Sequence, residues 1–328
     1  MSHCTHNRIT AFPTGDGLES RLVNTVCPNP SLFRLALAPE PRRANLRTLR
    51  LMSYENRRAT RVAPVLFGLF IVGQLAVLWT CIWYFFNPTW NAQLAAGPPA
   101  ILATWLLCSL ALCFGEYFFH RYILHIESVR FLRSLYNSHL RHHKLTSIAF
   151  DERTGRVRSA YPISDIAHDD QSTFPPWALI PFFAFFTPFM APAAFSFPDV
   201  PILLGGYGAI AVAHFLYETI HVVHHQPFEP YWRRRLDQPV LGRVWRQLYG
   251  FHLAHHAYYK CNLNVAGFFG IPLADIVFGT YKQPEPLLVD GAEAGRDAAR
   301  RLIASPRWPI SWLDRVVFKR RRWMARRP

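Results

Sequence analysis

Lysine is nearly missing from this sequence: Lys144, Lys260, Lys282 and Lys319 are the four lysines among 36 basic residues. That arginine bias suits a GC-rich genome and carries no mechanism. Cys-x-x-Cys is absent, and Cys81, Cys108 and Cys113 fall in apolar runs while Cys4, Cys27 and Cys261 are scattered. This leaves no disulfide framework and no iron–sulfur ligand set. His-Glu-x-x-His is missing too, which removes the usual zinc metalloprotease. Neither a flavin or dinucleotide fingerprint nor a haem domain is visible. Residues 1–61 lack the apolar core of a secretory signal, so the first apolar run serves as the membrane signal. Met52 is an alternative start.

Charge is absent over long stretches. Ala63 to Phe86 is 24 residues without one, enough to span a bilayer. Pro99 to Phe119 is broken only by Glu116, Phe174 to Phe197 is aromatic with prolines, and Val200 to Tyr217 is a shorter fourth run. These features predict an all-α integral membrane protein of about four transmembrane helices with a cytosolic helical cap. Arginine is dense before Ala63, between Arg130 and Arg158, and after His225, whereas Asn87 to Gly97 has no charge. The positive-inside rule then places both termini and the loop after the second span in the cytoplasm, here of a bacterial inner membrane. The net charge of +15 is read as attraction to anionic headgroups and an acidic protein partner, with no nucleic acid. Composition divides the chain into a basic, irregular arm (1–62), a membrane-embedded domain (63–283) and a basic amphipathic tail (284–328) that lies on anionic lipid or merely solubilises.

Against these absences stand 15 histidines. His-x-x-His-His occurs three times, at His139-His142-His143, His221-His224-His225 and His252-His255-His256, where chance would supply roughly 0.03 copies. A lone histidine is usually packed or solvated, but eleven in four clusters require a common cause. Residues three and four apart share a helix face, so each copy is expected to aim its rings one way, where a metal collects them. Neutral imidazole suits zinc, copper, nickel or iron. His120 and His125 fit less well, because five residues turn an ideal helix about 500° and leave them roughly 140° apart. Local unwinding, or a helix end, is expected between them. Hydropathy and charge, read without reference to histidine, put all four clusters on one membrane face.

Glu116, one turn before His120, is placed to accept a ring N–H, or else to be solvated or paired with Arg121. Glu218 repeats that logic before His221. His214, deeper in its span, is a packed or outer residue, and Asn264 is a further candidate near the ligands. His168, beside Asp169 and Asp170, is read as a surface loop.

The order His-x4-His, His-x-x-His-His, Tyr-Glu-x-x-His-x3-His, His-x-x-His-His, then Pro-Leu-x-Asp and Phe-Gly-Thr, resembles the fatty acid hydroxylase and sterol desaturase superfamily from about Phe114 to Tyr281. The resemblance implies a membrane diiron oxygenase that hydroxylates a fatty acyl or sterol-like lipid at the cytosolic face, with O2 as co-substrate. It implies two iron ions, which zinc can replace in isolated protein. Their ligands would be His120, His125, His139, His142, His143, His221, His225, His252, His255 and His256. His224 is then an extra histidine, which spacing alone leaves in play. Eukaryotic fatty acid 2-hydroxylases commonly carry a fused cytochrome b5 domain, and this chain has none. A separate electron donor of ferredoxin or cytochrome b5 type is therefore expected, attracted by Arg233, Arg234, Arg235, Arg243 and Arg246. Lipid desaturation within the same superfamily is the alternative, and a histidine-rich metal-binding or transport protein is the alternative from another class.

Overall fold

The computed structural model describes residues 46–151, 153–163, 174–283, 285, 287–294 and 300–325. Contacts divide the chain into Met1–Pro64 and Val65–Pro328, and the clustered histidines all lie in the second unit. Helices dominate, as the sequence predicts; the one described sheet has two strands, β1 (Ile148–Phe150) and β2 (Val157–Ser159). Four described helices are long and apolar enough to cross a membrane: Pro64–Phe85, Gly97–Leu124, Leu179–Ser196 and Ile202–His224. Lipid-type surface follows from the sequence, since Val65, Leu69, Leu102, Leu107, Phe185 and Phe189 all stay exposed. A long helix with such a surface has nothing in water to satisfy it.

The first span ends α1 (Leu46–Phe85), and the uncharged link after it is a short helix, α2 (Asn87–Ala95), rather than a loop. Its Gln93 is buried, and Gln93 Oε1 accepts from the amides of Leu203 and Leu204 at 3.0 and 3.2 Å. These are first-turn N–H groups of the fourth span, which have no partner inside their own helix. The second span is α3 (Gly97–Phe119) plus a π-turn, His120–Leu124. The third, α5 (Leu179–Ser196), starts later than the apolar run because Pro175 and Pro176 lead into a 3-10 turn, Pro176–Ala178.

The fourth span, α6 (Ile202–His224), continues seven residues beyond the apolar run and carries histidines at its end. It is the central one, with 61% of its apolar window buried against 11–17% for the others. Its glycines permit this. A Cβ on Gly205 would lie 2.8 Å from the Trp105 amide nitrogen and 3.0 Å from Thr104 Cβ, so α3 and α6 approach backbone to backbone, as small residues allow within membranes.

The cap is built from α4 (Arg133–Leu145), the β1–β2 hairpin, α7 (Arg233–Leu236), α8 (Gly242–Ala257) and α9 (Leu273–Phe278). The hairpin replaces part of the polar loop expected after His143; His168 lies outside the described residues. The tail is not apolar-free where it is described. Its described residues fall in the unit that holds the clustered histidines. Leu288 and Leu302 are buried in the core of the cap, and Ile310, at the start of α10 (Ile310–Ala325), is buried with Tyr117 and Leu263. Arginine-rich composition concealed these apolar anchors.

Gly205→Ala should destabilise the protein in detergent by about 1–3 kcal/mol, the usual cost of forcing atoms into a filled contact. Gly73→Ala, where an added Cβ meets nothing within 4 Å, is the control, and equal melting temperatures for the two variants would refute the close-approach argument.

Candidate metal centre

Ten histidines gather into two groups of five that can each hold a metal ion. The first is His120, His125, His139, His143 and His255; the second is His142, His221, His225, His252 and His256. Within each group one nitrogen from each ring lies within 4.8 Å of all the others. The groups adjoin: the rings of His143 and His256, one from each, stack with centroids 4.2 Å apart. Spacing in the sequence picks out these ten residues together with His224, and does not show how they are shared.

A His-x-x-His-His helix does not aim its three rings one way. Positions i and i+4 are about 40° apart around a helix, while i+3 lies about 60° to the other side of i. On α4, His139 and His143 therefore enter the first group and His142 the second; on α8, His252 and His256 enter the second and His255 the first. Each helix feeds both groups. On α6, His221 and His225 enter the second group, whereas His224 enters neither and stacks on the His252 ring at 5.0 Å.

His120 and His125 reach the first group through the π-turn His120–Leu124. Bonding from i to i+5 widens the turn, which brings residues five apart back toward one side. Their rings stack at 5.1 Å with an interplanar angle of 18°. This is the local unwinding that the spacing demanded.

The hydrogen bonds behind the rings fix which nitrogen faces inward. His120 Nδ1 donates to the Leu263 carbonyl at 2.6 Å, His255 Nδ1 to that of Cys261 at 2.8 Å, and His225 Nδ1 to that of Tyr161 at 2.7 Å. A carbonyl can only accept, so in each neutral ring Nε2 is left bare. The Thr146 hydroxyl donates to the His142 carbonyl at 2.7 Å and so must accept from His256 Nδ1 at 2.9 Å. The Nε2 atoms then converge. His139 Nε2 stands 3.1 Å from Nε2 of His120, His125 and His143, and His252 Nε2 stands 3.1 Å from those of His225 and His256. A single N–H on the central ring could serve one neighbour, not two or three. A cation serves all of them, and ligands at right angles on an ion with bonds of about 2.1 Å are about 3.0 Å apart. The donor set and its spacing fit a metal.

Glu116 does not fill its expected role. Its two carboxylate oxygens accept from the amides of Ala266 and Gly267, both at 2.9 Å. It thus pins the loop whose Leu263 carbonyl holds His120. Glu218 accepts from the Phe174 amide at 3.2 Å. Asn264 joins α3 to α9: its side chain donates to the Cys113 carbonyl at 2.7 Å and accepts from the Ala274 amide at 3.0 Å. His214 is packed among Phe67, Phe174 and Phe182, outside both groups. Both ring nitrogens of His224 are buried without a hydrogen-bond partner.

Sequence reasoning missed the acceptors. Asn262, at φ 54°, donates to the carbonyls of Phe251 and Lys282 at 2.7 and 2.6 Å and so shapes the turn that offers Cys261 and Leu263. Asp275 accepts from the Asn264 amide at 2.7 Å and from Thr280 at 2.6 Å, which fixes the far side of that turn. The only sequence signals were the break in pattern at Asn262-Leu263-Asn264 and the Pro-Leu-x-Asp motif. A comparison with protein-family models, curated proteins and solved structures found no match.

Burial and neighbouring histidines push the cap ligands His125, His139, His142, His252, His255 and His256 well below the ordinary histidine value of 6.5. They are neutral at pH 7, which is the form that binds metals. For stability the sign follows directly: the unfolded chain takes up protons below about 6.5 that the folded one refuses, so falling pH favours unfolding. Metal-free protein should lose thermal stability steadily as the pH is lowered from about 7 to 5. Melting curves across that range in one detergent provide the check, and a flat or rising profile would contradict neutral, buried ligands.

Proposed function

We propose that this chain is an iron- and O2-dependent oxidoreductase that hydroxylates a membrane lipid, fatty acyl or sterol-like, at the cytosolic face. The observation that carries the reading is the pair of adjacent five-histidine groups at the ends of apolar spans. Five donors exceed the four of a structural zinc site and leave room at a five- or six-coordinate ion. Two such ions side by side suit a reaction that draws more than one electron. A transporter would instead place its ligands along the spans near the midplane, whereas here most of them come from the cap helices α4 and α8.

Bound iron would supply reduction of O2 and attack on an unactivated C–H bond, chemistry that no side chain performs. The net reaction takes up one O2, two electrons and two protons, and gives the alcohol and water. The protein's own share is positional. Carbonyls of Leu263, Cys261 and Tyr161, with the Thr146 hydroxyl, hold four rings in the required tautomer. The second group is wholly buried, which keeps water from it. Spans whose apolar faces lie open to lipid bring a substrate's reacting carbon to the same level.

The electrons come from a separate acidic carrier on the cytosolic side. Arg235 is engaged with Tyr231, and Arg233 with Glu229. Arg234, Arg243 and Arg246 are exposed and form the basic surface for such a carrier, with coupling that weakens as salt screens it.

Metal analysis of purified protein tests the reading: about two irons per chain are expected, and haem absorbance or absence of metal would defeat it. His142→Ala and His255→Ala, each removing one ligand from a different group, should abolish product formation while the protein still inserts. Full activity in either would show that the histidines serve something else. Reporter fusions at Asn91 and at the C-terminus should report opposite sides of the membrane, and a shared side would overturn the cytosolic placement.

A further inference from the structure

The π-turn is the weak element of the site. It supplies two of the five nitrogens of the first group through an irregular backbone, whereas the second group draws all of its ligands from α4, α8 and the end of α6. π-turns are rare and persist where something outside them imposes the geometry. Between His120 and His125 lies Arg121, a buried arginine. Its Nε and Nη2 donate to the two carboxylate oxygens of Asp314 at 3.0 and 2.5 Å, and the Tyr122 hydroxyl donates to the same carboxylate at 2.9 Å. The third arm, Nη1, donates to the Lys260 carbonyl at 3.0 Å.

We propose that Asp314 is a positioning residue for the first histidine group, acting from the C-terminal helix through Arg121. The inference rests on reading both groups as metal centres. Asp314 touches no ligand. It fixes a planar, forked guanidinium at two points, a geometry that only a carboxylate matches well. Arg121 then ties the π-turn to the segment that begins at Lys260. That segment contains the Cys261 carbonyl that orients His255 and the Leu263 carbonyl that orients His120. One carboxylate thereby governs His120, His125 and His255, three of the five ligands of the first group and none of the second. Ile310, buried one turn before Asp314, seats the helix from which it reaches. The consequence is an asymmetry: the first centre depends on α10, and the second does not.

The test uses the full chain in detergent, with Asp314→Asn, Asp314→Glu and, as a control, Glu229→Gln, which removes the exposed ion pair to Arg233. Anaerobic Fe2+ titration in competition with a chelator should give two sites in the unaltered protein. In Asp314→Asn one site should weaken on the order of 10 to 100-fold, the usual effect of removing an outer partner, while the other holds. Asp314→Glu, which keeps the carboxylate, should lie closer to the unaltered protein, and Glu229→Gln should match it. Equal affinities at both sites in Asp314→Asn, or equal weakening of both, would overturn the proposal. Hydrogen exchange on metal-free protein decides the same point without any ion: amides of residues 120–125 should exchange faster in Asp314→Asn, with those of α8 unchanged. Unaltered protein that binds no iron would defeat the metal reading, and the exchange rates would still decide the role of Asp314; identical rates at 120–125 would end it.

Discussion

Bare nitrogen lone pairs held 3.1 Å apart and aimed at one another are the condition around which this structure is arranged. Neutral imidazoles do not come together in this way on their own account, since a buried acceptor facing another acceptor has lost water and gained nothing. The arrangement is supported by four rings held from behind, those of His120, His225, His255 and His256. Backbone carbonyls do most of that work, and they do it in one direction: an acceptor at Nδ1 forces the proton there and turns Nε2 inward. Burial completes it by keeping the rings uncharged.

The second constraint is angular. A helix offers two azimuths to a His-x-x-His-His run, and two centres side by side use both. α4 and α8 each contribute to both groups, so a shift of either helix would displace ligands of both, whereas the π-turn serves the first group alone. The end of α6 shows the same geometry with one centre in reach: His221 and His225 converge, and His224 is left stacked on His252 with its nitrogens unpaired. The π-turn at His120 is a different solution, used where one segment must deliver two rings five residues apart.

Much of this is legible in the residues. Apolar runs locate the spans, because no water-soluble helix leaves so many large apolar side chains outside. Repeated spacing locates eight of the ten histidines, with His224 beside them, because one pattern given three times requires a shared cause. The poor angle between His120 and His125 by itself demands a distortion of the helix. What stays hidden is the apparatus of support. Leu263, Cys261 and Tyr161 act through carbonyl groups that every residue possesses, so their identity carries no signal. Glu116 departs from the expected role because a carboxylate one turn from a histidine has a second option, the amides of a loop about 150 positions away in sequence. The tail reads as separate because its arginines outnumber the few apolar residues that anchor it.

Exposure separates the two groups further. All five members of the second are buried, while His125 and His143 of the first are partly exposed and His125 is covered by the half-exposed ring of Tyr259. Two requirements of the proposed chemistry pull in opposite directions: a lipid must arrive from hydrocarbon, and reducing equivalents must arrive from water. A single centre at the boundary would have to meet both. A pair would divide them, since the group fed by α6 is wholly buried and the group fed by the π-turn keeps two partly exposed rings. The rings of His143 and His256 stack between them. On this view the sharing of α4 and α8 does more than conserve chain length, because it fixes the distance between an inner and an outer centre by the rigidity of two short helices.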